Sequence, residues 1–252
     1  MSSATVVHSF WEKIQKFTFA IVAIVIAVGQ WADFRDVAIS SYEGFITHFT
    51  DNVELKQLSN VRVGGNLSYL ESIFGPAKLI KIKEAGNKSQ YRYYFNNKFL
   101  LTLAVSQERV TAYQVVSLSP TFHPPIGFSE TTLNLNPIQD IQEFDGSFSS
   151  DTANIRYYLE QITLGREGLF FERQLGFVEY GSVAQHYSEL DQINEQLIHN
   201  PDNKQLLVII EKLRSKLTPN IYSVGELSLE EAADMLLTRY EFHAYFGQGN
   251  HL

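Results

Sequence analysis

VRVGGNLSYLESIFGPAK (residues 61–78), followed by LIKIKEAGNKSQYRYYFNNKFLLTLAVSQERVTAYQVVSLS (79–119), carries first a helical and then a strand periodicity. In the first piece Val61–Val63 is a short strand candidate, broken by Gly64-Gly65. Asn66 is a good helix N-cap, because its side-chain oxygen accepts an orphan N–H of the first turn. Leu67, Leu70, Ile73 and Phe74 then share one helical face. Gly75 suits the left-handed position past a helix end, and Pro76 stops the helix. The second piece switches to period two, with strands at Lys78–Lys83, Tyr91–Phe95, Phe99–Val105 and Val110–Ser117. Asn96-Asn97 is a tight-turn signal, since Asn tolerates positive φ. The fold class is therefore α+β, with Leu70, Ile73 and Phe74 laid against an antiparallel sheet.

The same stretch holds the best surface candidates. On a strand Tyr91, Tyr93 and Phe95 face one side, whereas Arg92 and Tyr94 face the other. If one side enters the core, the other displays Arg92, Tyr94 and Lys98, and Tyr and Arg are favoured at interfaces. Ordinary sheet packing is the competing explanation. Residues 61–119 also resemble the helix-plus-meander module of bacterial envelope proteins related to the small outer-membrane assembly lipoproteins. Those share a strand, a Gly, a short helix with a Leu/Phe-Gly-Pro-like stop and a tyrosine-rich hairpin. The resemblance implies an envelope interaction module and carries over no catalytic residues. The lipobox cysteine of those lipoproteins has no counterpart, since the chain has no Cys.

Upstream, Phe17–Ala32 reads FTFAIVAIVIAVGQWA without a charge. As a helix it is ~24 Å long, against a hydrocarbon core of about 30 Å. The flanks make up the difference. Trp11 and Trp31 sit where an aromatic belt would place them, and Lys13 and Lys16 can snorkel to the headgroups. The expectation is a signal anchor spanning about residues 14–33 within a segment 1–50. A buried core helix and a cleaved signal peptide (Ala27-Val28-Gly29) are the alternatives. Lys13 and Lys16 outnumber Arg35 near the ends, which puts the amino terminus inside and the rest of the chain outside. Phe34, Val37, Ala38, Tyr42, Phe45, Ile46 and Phe49 continue as an amphipathic extension.

Downstream, residues 120–150 are irregular and read as a long crossing segment. Asp151 reads as the cap of a second helix through Ile155, Tyr158, Leu159 and Ile162, ended by Gly165. Leu169–Arg173 and Phe177–Tyr180 then read as a hairpin, and the two helix-Gly-strand units raise the possibility of an internal repeat. Residues 51–180 thus form an α+β domain. Residues 181–252 read as a helical subdomain: Ser182–His199, a helix capped by Asp202, and one from Ser228 to Phe246. Ser228-Leu-Glu-Glu231 is a capping box. Residues 61–119 hold eight basic and three acidic residues, and residues 181–252 hold five and ten, so the two regions can attract each other.

The whole chain carries 20 Lys+Arg against 28 Asp+Glu, an excess of acid that argues against nucleic-acid binding through phosphate neutralisation. There is no P-loop, GxSxG, HExxH or GxGxxG after a strand. The seven histidines are scattered, without the ordered spacing of a metal site. No catalytic residue, metal ligand or cofactor is expected. The leading expectation is a single-pass inner- or plasma-membrane protein whose extracytoplasmic domain binds a protein partner or a second copy, as an envelope sensor or accessory factor. A cytoplasm-facing effector of a bacterial stress or phage-defence system is the alternative. An enzyme using His and Asp residues of 120–150 is the third.

Overall fold

Two short helices open the described part of the chain, α1 (Asn52–Leu58) and α2 (Leu67–Phe74). The computed structural model describes residues 51–83, 89–183, 187–199 and 203–247. The chain divides into two compact units, residues 1–53 and 54–252. The expected anchor (Trp11, Lys13, Lys16, Trp31) and its expected amphipathic extension fall outside the described residues, as does the expected Asp202 cap. Among the described residues no helix is long and apolar enough to cross a membrane.

Helix α2 begins where the sequence places it. The Asn66 side chain accepts the Tyr69 N–H at 3.3 Å, and Gly75 ends the helix at φ 74°. Four strands follow, β1 (Leu79–Ile82), β2 (Gln90–Phe95), β3 (Phe99–Ser106) and β4 (Arg109–Ser117), in an antiparallel meander. Leu70 of α2 is buried, while Ile73 and Phe74 are half-buried. The Phe74 ring meets Tyr94 at 5.7 Å and Phe99 at 6.3 Å between centroids. Phe74→Ala is expected to cost about 2–3 kcal/mol in urea unfolding, below the range for a fully buried Phe. A loss near zero would detach α2 from the sheet. Val61–Val63 is not a strand. It runs as a loop tied down by Gly64 N–H to the Val110 carbonyl (2.7 Å) and Val110 N–H to the Gly65 carbonyl (3.0 Å).

Three further strands, β5 (Phe148–Asp151), β6 (Tyr157–Thr163) and β7 (Glu172–Val178), form a second meander. The helix expected after Asp151 is therefore β6. The Asp151 carboxylate does accept N–H groups, from Thr152 (2.6 Å) and Ala153 (2.9 Å), but in a turn between strands. β6 is buried on both faces, which erases the alternation that marks a strand. The expected hairpin of 169–180 is one continuous strand through Gly176. A Cβ there would stand 1.9 Å from the Tyr158 carbonyl oxygen, so this glycine serves close backbone approach and not a turn. With a helix in one unit and a strand in the other, the internal repeat falls away.

Residues 181–252 are not all helical. Between α3 (Ser188–His199), α4 (Asn203–Arg214) and the last helices runs β8 (Ile221–Gly225). β8 pairs with β4 on one side and β7 on the other, giving an eight-stranded sheet in the order β1-β2-β3-β4-β8-β7-β6-β5. The expected helix from Ser228 to Phe246 is two: α5 (Leu229–Asp234), with the Ser228–Glu231 capping box, and α6 (Arg239–Phe246), with a second box from Thr238 and Glu241. Gly247 closes α6 as expected. Helices α1 to α4 and the 120–145 crossing segment cover one face of the sheet, through Leu67, Leu133, Leu190 and Leu213. Helices α5 and α6 cover the other, through Ala232, Met235, Leu237 and Phe246. The charge asymmetry is used here, since Lys81 pairs with Glu241 (2.9 Å) and Lys83 with Glu231 (2.7 Å).

One polar row crosses the second face. Tyr93, Thr102, Gln114, Ser223, Gln174 and Gln161 lie opposite one another on six adjacent strands. Helix α5 is short, so its buried carbonyls need partners that a longer helix would supply itself. The row supplies them. The Tyr93 phenol donates to the Met235 carbonyl (3.2 Å) and the Gln114 amide to the Ala232 carbonyl (3.0 Å).

Candidate binding cleft

Two loops and one wall on the first face enclose a cleft of about 410 Å³, inside the range of small-ligand sites. The first loop lies between Pro124 and Leu133. Buried Ile126 and Leu133 pin it to the core, and the Leu133 N–H donates to the Pro124 carbonyl (3.0 Å). Gly127 lets it rest on the sheet, because a Cβ would come within 2.8 Å of the Tyr113 hydroxyl and 3.0 Å of Val224. Phe128 follows at φ 56° and is 50% exposed.

The second loop joins β6 to β7. A short 3-10 turn (Arg166–Gly168) leads into Leu169 and Phe170, at φ 57° and 58°. Their side chains are 65% and 68% exposed. The third wall is Val61–Val63, beside Phe171 and Tyr113.

Left-handed backbone in a bulky L-residue costs ~1–2 kcal/mol. Three such residues here are large, apolar and half or more in solvent. Val183 (φ 54°) also adopts it, outside the cleft lining, and three others have local explanations. Gln107 and Glu108 lie between β3 and β4, where a two-residue hairpin turn needs positive φ. Asn134 is a residue type that tolerates it, and its amide bonds Ser117 (2.8 Å) and the Phe122 carbonyl (2.9 Å). Phe128 and Leu169 line the cleft, Leu169 as the left-handed residue that closes the 3-10 turn, and Phe170 follows it just outside the lining.

Arg173 of β7 holds the first loop in place. Its guanidinium donates to the Phe128 carbonyl at 3.0 Å and to the Gln142 side chain at 3.5 Å. Burial lowers its pKa from the usual arginine value. Tyr113 is buried beside Tyr222, 6.1 Å between centroids, and burial pushes its phenol up to about 12. It is neutral at physiological pH. Arg62 is the one charged residue in the lining. The arrangement suits holding an apolar group and offers no acid–base pair.

The residues singled out from sequence lie elsewhere. Their face is closed by α1 and α2, which corrects the expectation of a displayed surface. Arg92 pairs closely with Glu71 of α2, and Lys98 pairs with Glu54 of α1 at 3.2 Å. Tyr94 is buried against Phe74, and burial raises its phenol. All three fasten helices to the sheet.

A wider cleft, about 670 Å³, lies at the opposite sheet end between Asn96, Tyr180 and Tyr245. Its rings are already stacked in pairs, Phe95 on Phe246 at 4.8 Å and Tyr180 on Phe242 at 4.2 Å. Among the described residues no three His, Asp or Glu side chains converge as metal ligands. Comparison with known protein families, curated proteins and solved structures returns no match.

Proposed function

We propose that this is a membrane-anchored binding protein that captures an apolar group in the Val61–Phe128–Leu169 cleft without catalysing a reaction. The anchor is the uncharged Phe17–Ala32 segment, with Trp11 and Trp31 at its ends. The two-to-one excess of lysine ahead of it favours an extracytoplasmic domain. The resemblance of residues 61–119 to an envelope interaction module supports a sensor or accessory role in the same compartment. One observation carries the binding reading. Two bulky apolar side chains of the lining, Phe128 and Leu169, are kept exposed on left-handed backbone around one cavity, with exposed Phe170 next in the chain, a combination that folding alone does not reward.

That reading makes an expected result. Leu169→Asn and Phe170→Gly relieve left-handed strain and bury nothing less, so each is expected to leave stability unchanged or raise it by up to about 1 kcal/mol. For a chain of this size that is a melting-temperature gain of about 2–4 °C. In proteoliposomes, a neutral diazirine-bearing hydrocarbon should label peptides containing 61–63, 127–128 and 169–171, and Leu169→Asn, which changes the lining, should lose most of that labelling. Destabilisation beyond about 2 kcal/mol with labelling intact would return the two residues to the core.

A further inference from the structure

We infer that the ligand of this cleft is an amphipathic monoanion, a hydrocarbon chain ending in a carboxylate, with the chain among Val63, Phe128, Leu169 and Phe171 and the carboxylate on Arg62. The inference rests on the binding reading above and adds the ligand's chemistry. Its first support is charge. Arg92, Arg156, Arg214 and Arg239 each pair with a carboxylate of their own chain, whereas Arg62, like Arg109 and Arg166 outside the lining, pairs with none among the described residues. Arg62 is exposed at the cleft and its guanidinium has no partner among the described residues. The lining holds no acid; Glu130 and Glu167, in the rim loops, lie outside it.

A second cation stands behind the wall. Arg173 is 5% exposed, and its hydrogen bonds go to a carbonyl and an amide oxygen, with Nε left unpartnered. An apolar space with one guanidinium at its mouth and another behind it favours a negative head group.

The third support separates a hydrocarbon from a peptide. The strand that enters the lining, β4 through Tyr113, is saturated, paired with β3 on one side and β8 on the other. Each rim loop spends backbone groups within itself, as in Ile126 N–H to the Thr131 carbonyl (3.0 Å) and Phe170 N–H to the Gly165 carbonyl (3.2 Å). An extended peptide would bring N–H and C=O groups into this space without an open ladder to receive them, which is unfavourable. A methylene chain brings none. One guanidinium also matches a carboxylate, two parallel bonds to a planar group.

The test uses the full chain in lipid nanodiscs and a dodecanoate carrying a mid-chain diazirine. Label is mapped to peptides by mass spectrometry, with unlabelled dodecanoate, dodecanol and an apolar peptide as competitors. Dodecanoate is expected to displace the label from the 61–63, 127–128 and 169–171 peptides at ~10-fold lower concentration than dodecanol, the size of one charge-assisted hydrogen-bond pair. Arg62→Gln should abolish that preference without moving the melting temperature, and Arg62→Lys should keep part of it. Equal displacement by the acid and the alcohol, or no effect of Arg62→Gln, overturns the head-group assignment and leaves the apolar cleft standing. Displacement by the peptide at lower concentration than dodecanoate overturns the ligand class. If neither the carboxylate nor the neutral hydrocarbon labels these peptides, the binding reading fails with it.

Discussion

Asn220→Ala is expected to remove about 3–5 kcal/mol of stability, because one side chain completes the sheet where its two meanders meet. Asn220 stands just before β8 and is fully buried. Its amide imitates a strand residue. Oδ1 accepts the Val178 N–H, and Nδ2 donates to the Val178 and Ser182 carbonyls, all at 2.9 Å. Its own backbone reaches both ways, donating to the Gly176 carbonyl and accepting the Ser117 N–H, again at 2.9 Å. Alanine keeps those two bonds and strands the Val178 N–H and the Ser182 carbonyl away from water. Each such orphan costs ~1–3 kcal/mol, and the vacated space against Gly181 adds to it. Asn220→Asp should be worse at neutral pH, since it replaces the donor with a buried charge, and should recover partly in acid. Pulse proteolysis of the full chain in urea reads both. A loss under about 1 kcal/mol for alanine would mean that the junction is held by the backbone ladder alone.

That junction was also the least legible part of the sequence. Helix α2 and strands β1 to β4 could be read because their signals are local: Asn66 before the helix, Gly75 after it, Asn96 in a turn. The alternation of Tyr91 to Phe95 was legible too, down to which side chains share a face. What covers each face was not, because Glu54 and Glu71 become partners of Lys98 and Arg92 only after α1 and α2 dock. Strand β8 has five residues, all buried, so it shows no alternation and sits among helical patterns. Its partners lie far upstream, Ala112–Val116 and Glu172–Gly176. Gly176 and the Tyr157–Ile162 run misled for a related reason: a strand buried on both sides matches helical spacing as well as strand spacing. The cleft escaped because its walls are three distant segments, each of which reads as ordinary core. Phe128, Leu169 and Phe170 differ from core residues only in φ and exposure, and neither is written in residue type. The free cation at position 62 was visible, but nothing local marked it as unpaired.

Arg214→Met is expected to cost about 3–5 kcal/mol at neutral pH, the range for removing one partner of a buried ion pair. Arg214 ends α4, and its Nε donates to Glu160 of β6 at 2.8 Å, with the carboxylate side chain only 1% exposed. The Tyr158 phenol donates to the same oxygen at 2.8 Å, and Arg214 Nη2 donates to the Gln142 carbonyl at 2.6 Å. The guanidinium also lies over Phe144, 5.3 Å from the ring centroid. Burial raises the Glu160 pKa above the ordinary carboxylate value, against the pull of Arg214 and of the hydrogen bonds it accepts. A raised acid favours the folded state while it is protonated. Its contribution is therefore full below the unfolded-state value near 4.5 and is lost as pH rises through the folded one. Removing the guanidinium takes away an opposing charge and moves the folded value higher still. The cost of Arg214→Met should then be largest at pH 7 and shrink as the pH is lowered and Glu160 takes up a proton. Adding Glu160→Gln should recover most of the loss at pH 7, because a neutral amide still accepts the Tyr158 hydrogen bond and leaves no buried charge. The interaction term of that double-mutant cycle separates the pair from the packing of the arginine stem on Phe144. A cost independent of pH, with no recovery from Glu160→Gln, would assign the whole effect to the stem.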